Sequence, residues 1–92
     1  MATKTDYRKL EHILRGVSNH RRIQMLELID KEPDLDVLKI ARRVGINFKN
    51  ASVHLKRLFL SGHVTRKNLG ASVAHRISKR GASVLTFLRT LE

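Results

Sequence analysis

The chain is 92 residues long and 41% hydrophobic, enough for one small globular domain with a marginal core that oligomerisation would supplement. It has no cysteine, which excludes disulfides, thiolate metal sites and cysteine nucleophiles together. Nineteen Lys and Arg against eight Asp and Glu give a net charge of +11, which suits a polyanionic partner better than solubility alone, for which interspersed signs suffice.

Taken in chain order, the opening MATKTDYRKLEHIL lacks an apolar core of signal-peptide type. No uncharged apolar run approaches the roughly 18 residues of a membrane span, so a cytoplasmic, nucleoid-associated protein with no membrane partner is expected. A first helix is expected over residues 6–15, with Tyr7, Leu10, Ile13, Leu14 and Val17 on one side and Gly16 at its end. Ser18 or Asn19 can cap a second helix, HRRIQMLELIDK, whose Ile23, Met25, Leu26, Leu28 and Ile29 are too many for a surface helix and mark the centre of the core. Pro33 lies just past its end. Asp34 or Asp36 caps a third helix, VLKIARRV, closed by Gly45. Asn47 caps a fourth, running to about residue 61 and closed by Gly62. The period then changes: HVTRKN and SVAHRIS read as two short strands turning at Gly70, with Val73, His75 and Ile77 alternating in the second. Ser78 caps a fifth helix to about residue 91, with Val84, Leu85, Leu88 and Leu91 as a stripe and Phe87 beside it.

Charge is not spread evenly over these elements. Residues 1–33 carry seven bases and five acids, whereas residues 34–92 carry twelve bases and three acids. No acid occurs between Asp36 and Glu92, so the fields of the bases there add. In the fourth helix Ala51, Leu55 and Leu58 define a buried face, and Lys49, Ser52, Val53 and Lys56 fall on the opposite one, with Arg57 on its flank.

Helix, helix, turn, helix and basic hairpin is the order of a winged helix-turn-helix, expected over residues 35–61 with the wing at 63–77, in a single domain spanning 1–92. The expected fold class is mainly α with a small β-hairpin. VSNHRRIQMLELI, with Arg22 before its Ile/Leu-rich run, resembles the second-helix signature of the arsenical-repressor-like (ArsR-like) winged-helix regulators. IARRVGINFKNASVHLKRLFLSGHV is similar to their helix-turn-helix at Ala41, Gly45, Asn47, Ser52, His54, Leu55 and Gly62. HRISKRGASVL resembles winged-helix regulators whose wing enters the last helix through Ser/Thr-x-x-Gly. The resemblance covers about residues 17–91 and implies a DNA-binding regulator that dimerises through its terminal helices. Phe48 departs from the polar residue usual at that place in the family, and His75 sits where the family often has an aromatic.

A major groove about 12 Å wide admits one α-helix with its first turns toward the base edges. Lys49, Asn50, Ser52 and Val53 occupy those turns: Lys can donate to guanine, Asn can pair with adenine and Val can meet a thymine methyl. Lys56 and Arg57, a turn later, suit phosphates. Phe48 either staples the turn with Ile46, stacks on the wing, or touches DNA. In the wing and its flank, Arg66, Lys67, His75, Arg76, Lys79 and Arg80 are the candidate contacts to the backbone or minor groove. One Tyr, three Phe and no Trp are too few for the stacking platforms of single-strand binding, so duplex DNA is the expected partner.

Chemistry beyond binding finds no support. His12, His20, His54, His63 and His75 form no i, i+4 pair, and the family's metal site on the last helix is missing because KRGASVLTFLRTLE offers only Glu92. His54 is expected to pack or bond between helices. No nucleophile with a paired base, phosphate loop or carboxylate dyad occurs, so neither enzyme activity, cofactor nor metal is expected, and no small-molecule effector is evident in the sequence. Two functions remain: a regulator, which leads, and an architectural protein that coats DNA with little sequence preference. A protein-docking winged helix is a third, weaker reading. The regulator is read as a repressor and a homodimer on an inverted repeat, with Tyr7, Leu10, Leu14, Val84, Phe87, Leu88 and Leu91 at its interface.

Overall fold

The computed structural model describes residues 4–92; residues 1–3 of the opening segment lie outside the described residues. Five helices and one antiparallel hairpin occur in the expected order: α1 (Tyr7–Val17), α2 (His20–Lys31), α3 (Val37–Val44), α4 (Phe48–Leu60), β1 (Val64–Leu69), β2 (Ser72–Ile77) and α5 (Lys79–Arg89). Every helix begins on a side-chain cap that satisfies backbone N–H groups left without partners in a first turn. Asp6, Asn19, Asp36, Asn47 and Ser78 accept from Lys9, from Arg21 and Arg22, from Lys39, from Asn50 and from Gly81 respectively.

α2 is the central helix, with Met25, Leu26 and Ile29 almost fully buried, and it packs against all four other helices and β2. Ile40 and Ala41 of α3, Ala51, Leu55 and Leu58 of α4, Val64 of β1 and Leu85 of α5 complete the core around it. Gly45 takes φ 80° between α3 and α4, a left-handed position that costs glycine nothing and sets the angle of the turn.

α1 differs from the expectation at its end. Gly16 does not stop it: the helix runs through Gly16 to Val17, and Ser18 is the C-cap. A Cβ on Gly16 would stand 2.0 Å from the Ser61 Oγ, so the glycine is there to let α1 close on the end of α4. Asp34 does not cap α3 either. It adopts φ 71° and its carboxylate accepts two hydrogen bonds from Arg76, both at 2.7 Å.

The hairpin is in register from Val64 opposite Ile77 to Leu69 opposite Ser72, with Gly70 and Ala71 as the two-residue turn. Gly70 alone of the pair has positive φ, 66°, the φ pattern of a type II′ turn. Leu35 adds a third, single-residue rung beside His75, which anchors the wing to the segment before α3.

Candidate nucleic-acid interface

α4 divides as its sequence period requires. Ala51, Leu55 and Leu58 are buried, and Phe48, Lys49, Asn50, Ser52, Val53, Lys56 and Arg57 are exposed. Val53 is 52% exposed, so one aliphatic side chain stands among cations on the solvent side. Among the described residues, Lys49, Lys56 and Arg57 have no carboxylate partner; the ion pairs involve Arg15, Arg43, Arg76 and Arg89 instead. Phe48 is 55% exposed and lines a groove with Leu38 of α3 and Ala71, Ser72 and Val73 of the wing tip, which brings the first turn of α4 and the wing to one side of the molecule.

His54 points inward from α4. Its Nδ1 accepts from Arg22 at 3.3 Å, and the same guanidinium donates to Gly16 O at 2.8 Å and Arg15 O at 3.2 Å. Arg22 thus caps α1 and ties it, through α2, to α4. Burial, then the positive charges of Arg22, His20, Arg21 and Arg57, lower the His54 pKa and hold the ring neutral.

The wing and its flank leave fewer basic side chains exposed and unpaired than the sequence suggests. His75 is a correction: it is 1% exposed, and its Nδ1 donates to Leu35 O at 2.9 Å, so it faces the protein and not a ligand. The alternation with Val73 and Ile77 places it on that inward side, and burial lowers its pKa. Arg76 is exposed, yet its charge is taken up by Asp34, which lowers the Asp34 pKa and raises that of Arg76. Arg80 turns back to donate to Ser61 O at 3.0 Å, at the end of α4. Arg66 lies over the Phe59 ring at 3.8 Å, a cation–π contact joining β1 to α4. Lys67 and Lys79 are exposed and unpaired among the described residues.

Sequence reasoning missed three residues. Lys39 and Arg42 of α3 are exposed with no acid partner among the described residues, on the helix that crosses the backbone in helix-turn-helix docking. Their signal was the acid-free stretch after Asp36. Phe59 had no such signal, because only the fold places it under Arg66.

His63, at the base of the wing, is fully buried with its Nδ1 2.7 Å from the Ser61 Oγ, while its Nε2 has no hydrogen-bond partner. Burial first, then Arg80 and His12, lower its pKa to about 4. No group of three or more His, Asp or Glu able to hold a metal occurs among the described residues, and no described helix is long and apolar enough to cross a membrane.

The terminal helices expose part of their apolar stripes. Tyr7 is 78% exposed, Leu10 48%, Leu14 56%, Phe87 54% and Leu91 65%. Val17 and Leu85 are buried in the domain, and Ile13, Val84 and Leu88 are half-buried. The core therefore covers more of each stripe than the sequence alone suggests.

No protein-family model matches the chain, and no curated protein matches its sequence. Solved structures do. The homodimeric winged helix-turn-helix DNA-binding domain Mb0332 of Mycobacterium bovis (fragment 1–100), described as a possible ArsR-family transcriptional regulator, is 25% identical with a TM-score of 0.84, over 99% of this chain and 89% of that one. NolR from Sinorhizobium fredii is 20% identical with a TM-score of 0.83, over 99% and 96%. The transcriptional regulator HlyU from Vibrio vulnificus is 23% identical with a TM-score of 0.75, over 92% and 88%. The fold is that of the winged helix-turn-helix DNA-binding transcriptional regulators.

Proposed function

We propose that the protein is a non-enzymatic, ArsR-like transcriptional repressor that binds duplex DNA sequence-specifically as a homodimer. The observation that carries this reading is the outer face of α4, where exposed Lys49, Asn50, Ser52 and Val53 stand together with no acid among them. Lys49, Asn50 and Val53 read base edges, Lys56 and Arg57 hold phosphates, and Lys67 and Lys79 add backbone contacts from the wing side. α1 and α5 pair across a two-fold axis through Tyr7, Leu10, Leu14, Phe87, Leu88 and Leu91, with Val84 at the edge. The likeness to a domain described as homodimeric and DNA-binding supports that assembly. Two copies of α4 roughly 34–36 Å apart then call for an inverted repeat.

The unpaired cations on α3 and in the wing favour a second reading, an architectural protein that coats duplex DNA with little preference. Selection from a pool of random duplexes, followed by competition between selected and random DNA, separates the two. The regulator enriches one motif, and Lys49→Ala or Asn50→Ala each costs about 1–3 kcal/mol on it with loss of discrimination, while Lys67→Ala weakens all duplexes alike. Equal binding of selected and random DNA refutes the regulator and leaves the coating protein.

A further inference from the structure

An open groove of about 580 Å³ runs between α1 and the C-terminal half of α4, within the range of small-molecule sites. Arg15 and Gly16 line it from one side and Val53, Lys56, Arg57 and Leu60 from the other. No carboxylate is among its lining residues. Lys56 and Arg57 have no acid partner among the described residues, and Arg15 has only the exposed Glu11, at 3.2 Å.

Between these cations the groove is apolar. Leu60 is 61% exposed and Val53 52% exposed, seven positions apart and so about 10 Å along one side of α4. Base-edge contact explains an exposed Val53 near the start of the helix. It does not explain Leu60 in the last turn, beyond the part of a recognition helix that enters the groove of DNA. Leu10 and Leu14 lie on a different side of α1 from His12 and Gly16, so pairing through the former leaves the groove open.

We propose that this groove binds a small amphipathic organic anion, an acid with an apolar tail, the tail lying on Val53 and Leu60 and the head held by Arg15, Lys56 and Arg57. The bound anion occupies cations that α4 otherwise offers to phosphates, so it displaces duplex DNA. The displacement rests on the DNA-binding reading above; the site itself does not.

Octanoate is the probe, titrated calorimetrically into the full chain without DNA. Saturable binding of one octanoate per chain is expected, with acetate and octanol each at least tenfold weaker because each lacks one half of the recognition. Leu60→Gln and Arg15→Gln, both exposed and outside the proposed DNA contacts, should each weaken octanoate at least fivefold and leave duplex affinity within twofold. Absence of saturable binding, equal binding of acetate, or full octanoate affinity in Leu60→Gln overturns the site. Binding to phosphatidylglycerol vesicles without binding of free octanoate also overturns it, in favour of a membrane surface. Octanoate should lower the apparent duplex affinity of the unmodified chain and not of the two variants. If it binds and leaves an intact DNA complex untouched, the displacement is refuted; if no duplex binds at all, the DNA reading fails while the calorimetric result still decides the site.

Discussion

Arg22 of α2 donates to the Nδ1 of His54 on α4 at 3.3 Å while its other nitrogens close the end of α1 on Gly16 O and Arg15 O. One planar fork serves three helices, which a lysine cannot reproduce. Arg22→Ala leaves Gly16 O and His54 Nδ1 without this donor, while Arg15 O keeps the Ser18 N–H at 3.3 Å, and should cost about 1–3 kcal/mol, lowering Tm by roughly 4–8 °C per kcal/mol in a domain of this size. Arg22→Lys should recover little of it. Thermal unfolding of both variants checks this, and an unchanged Tm in Arg22→Ala contradicts it.

Gly81 is required where α5 leaves the wing. A Cβ there would lie 2.1 Å from His63 O and 2.9 Å from Ile77 Cγ1, so backbone must move. Gly81→Ala should destabilise by about 2–3 kcal/mol through overpacking. Gly70→Ala, at φ 66° with open space around it, should cost about 1 kcal/mol from backbone strain alone. Urea unfolding of the pair gives the order; equal midpoints contradict the close approach.

The elements were legible in the sequence because caps, glycines and hydrophobic period agree at nearly every boundary. Asn47, Gly45 and the Ala51, Leu55, Leu58 face needed no tertiary information. Gly16 misled because a glycine near a helix end reads as a terminator, and only the fold shows Ser61 against it. The wing misled more. His75, Arg76 and Arg80 count equally as basic in a sequence, but burial against Leu35, pairing with Asp34 and a bond to Ser61 O separate them from Lys67 and Lys79. Such pairings span roughly 20 to 40 residues and leave no local trace.

Stability should depend on pH through His63. Its imidazole has a pKa of about 4 in the fold and 6.5 in the unfolded chain, so between those values the unfolded state binds more protons. Stability is therefore full above about pH 6.5 and falls as pH falls toward 4, by about 3 kcal/mol for a shift of that size. His54 and His75, also lowered, act in the same direction. Asp34, with its pKa lowered below 3.8, loses its contribution only at more acid pH. Urea unfolding at intervals from pH 7 to 4.5 should show the decline, and His63→Gln should flatten it; a flat profile for the unmodified chain contradicts the buried neutral ring.

The exposed parts of the α1 and α5 stripes predict self-association. Sedimentation at micromolar concentration should give a species of twice the 10.6 kDa chain mass. Leu14→Glu together with Leu88→Glu should give a monomer with most of its duplex affinity lost. A 10.6 kDa species for the unmodified protein refutes the dimer.

Binding of the selected duplex across 50–200 mM salt tests the central claim most directly, because lysines and arginines on phosphates release condensed counterions. With several cations per subunit engaged in a dimer, log K against log salt should fall with a slope of roughly −5 or steeper. No binding at low salt, or a slope near zero, would contradict a duplex-DNA-binding function.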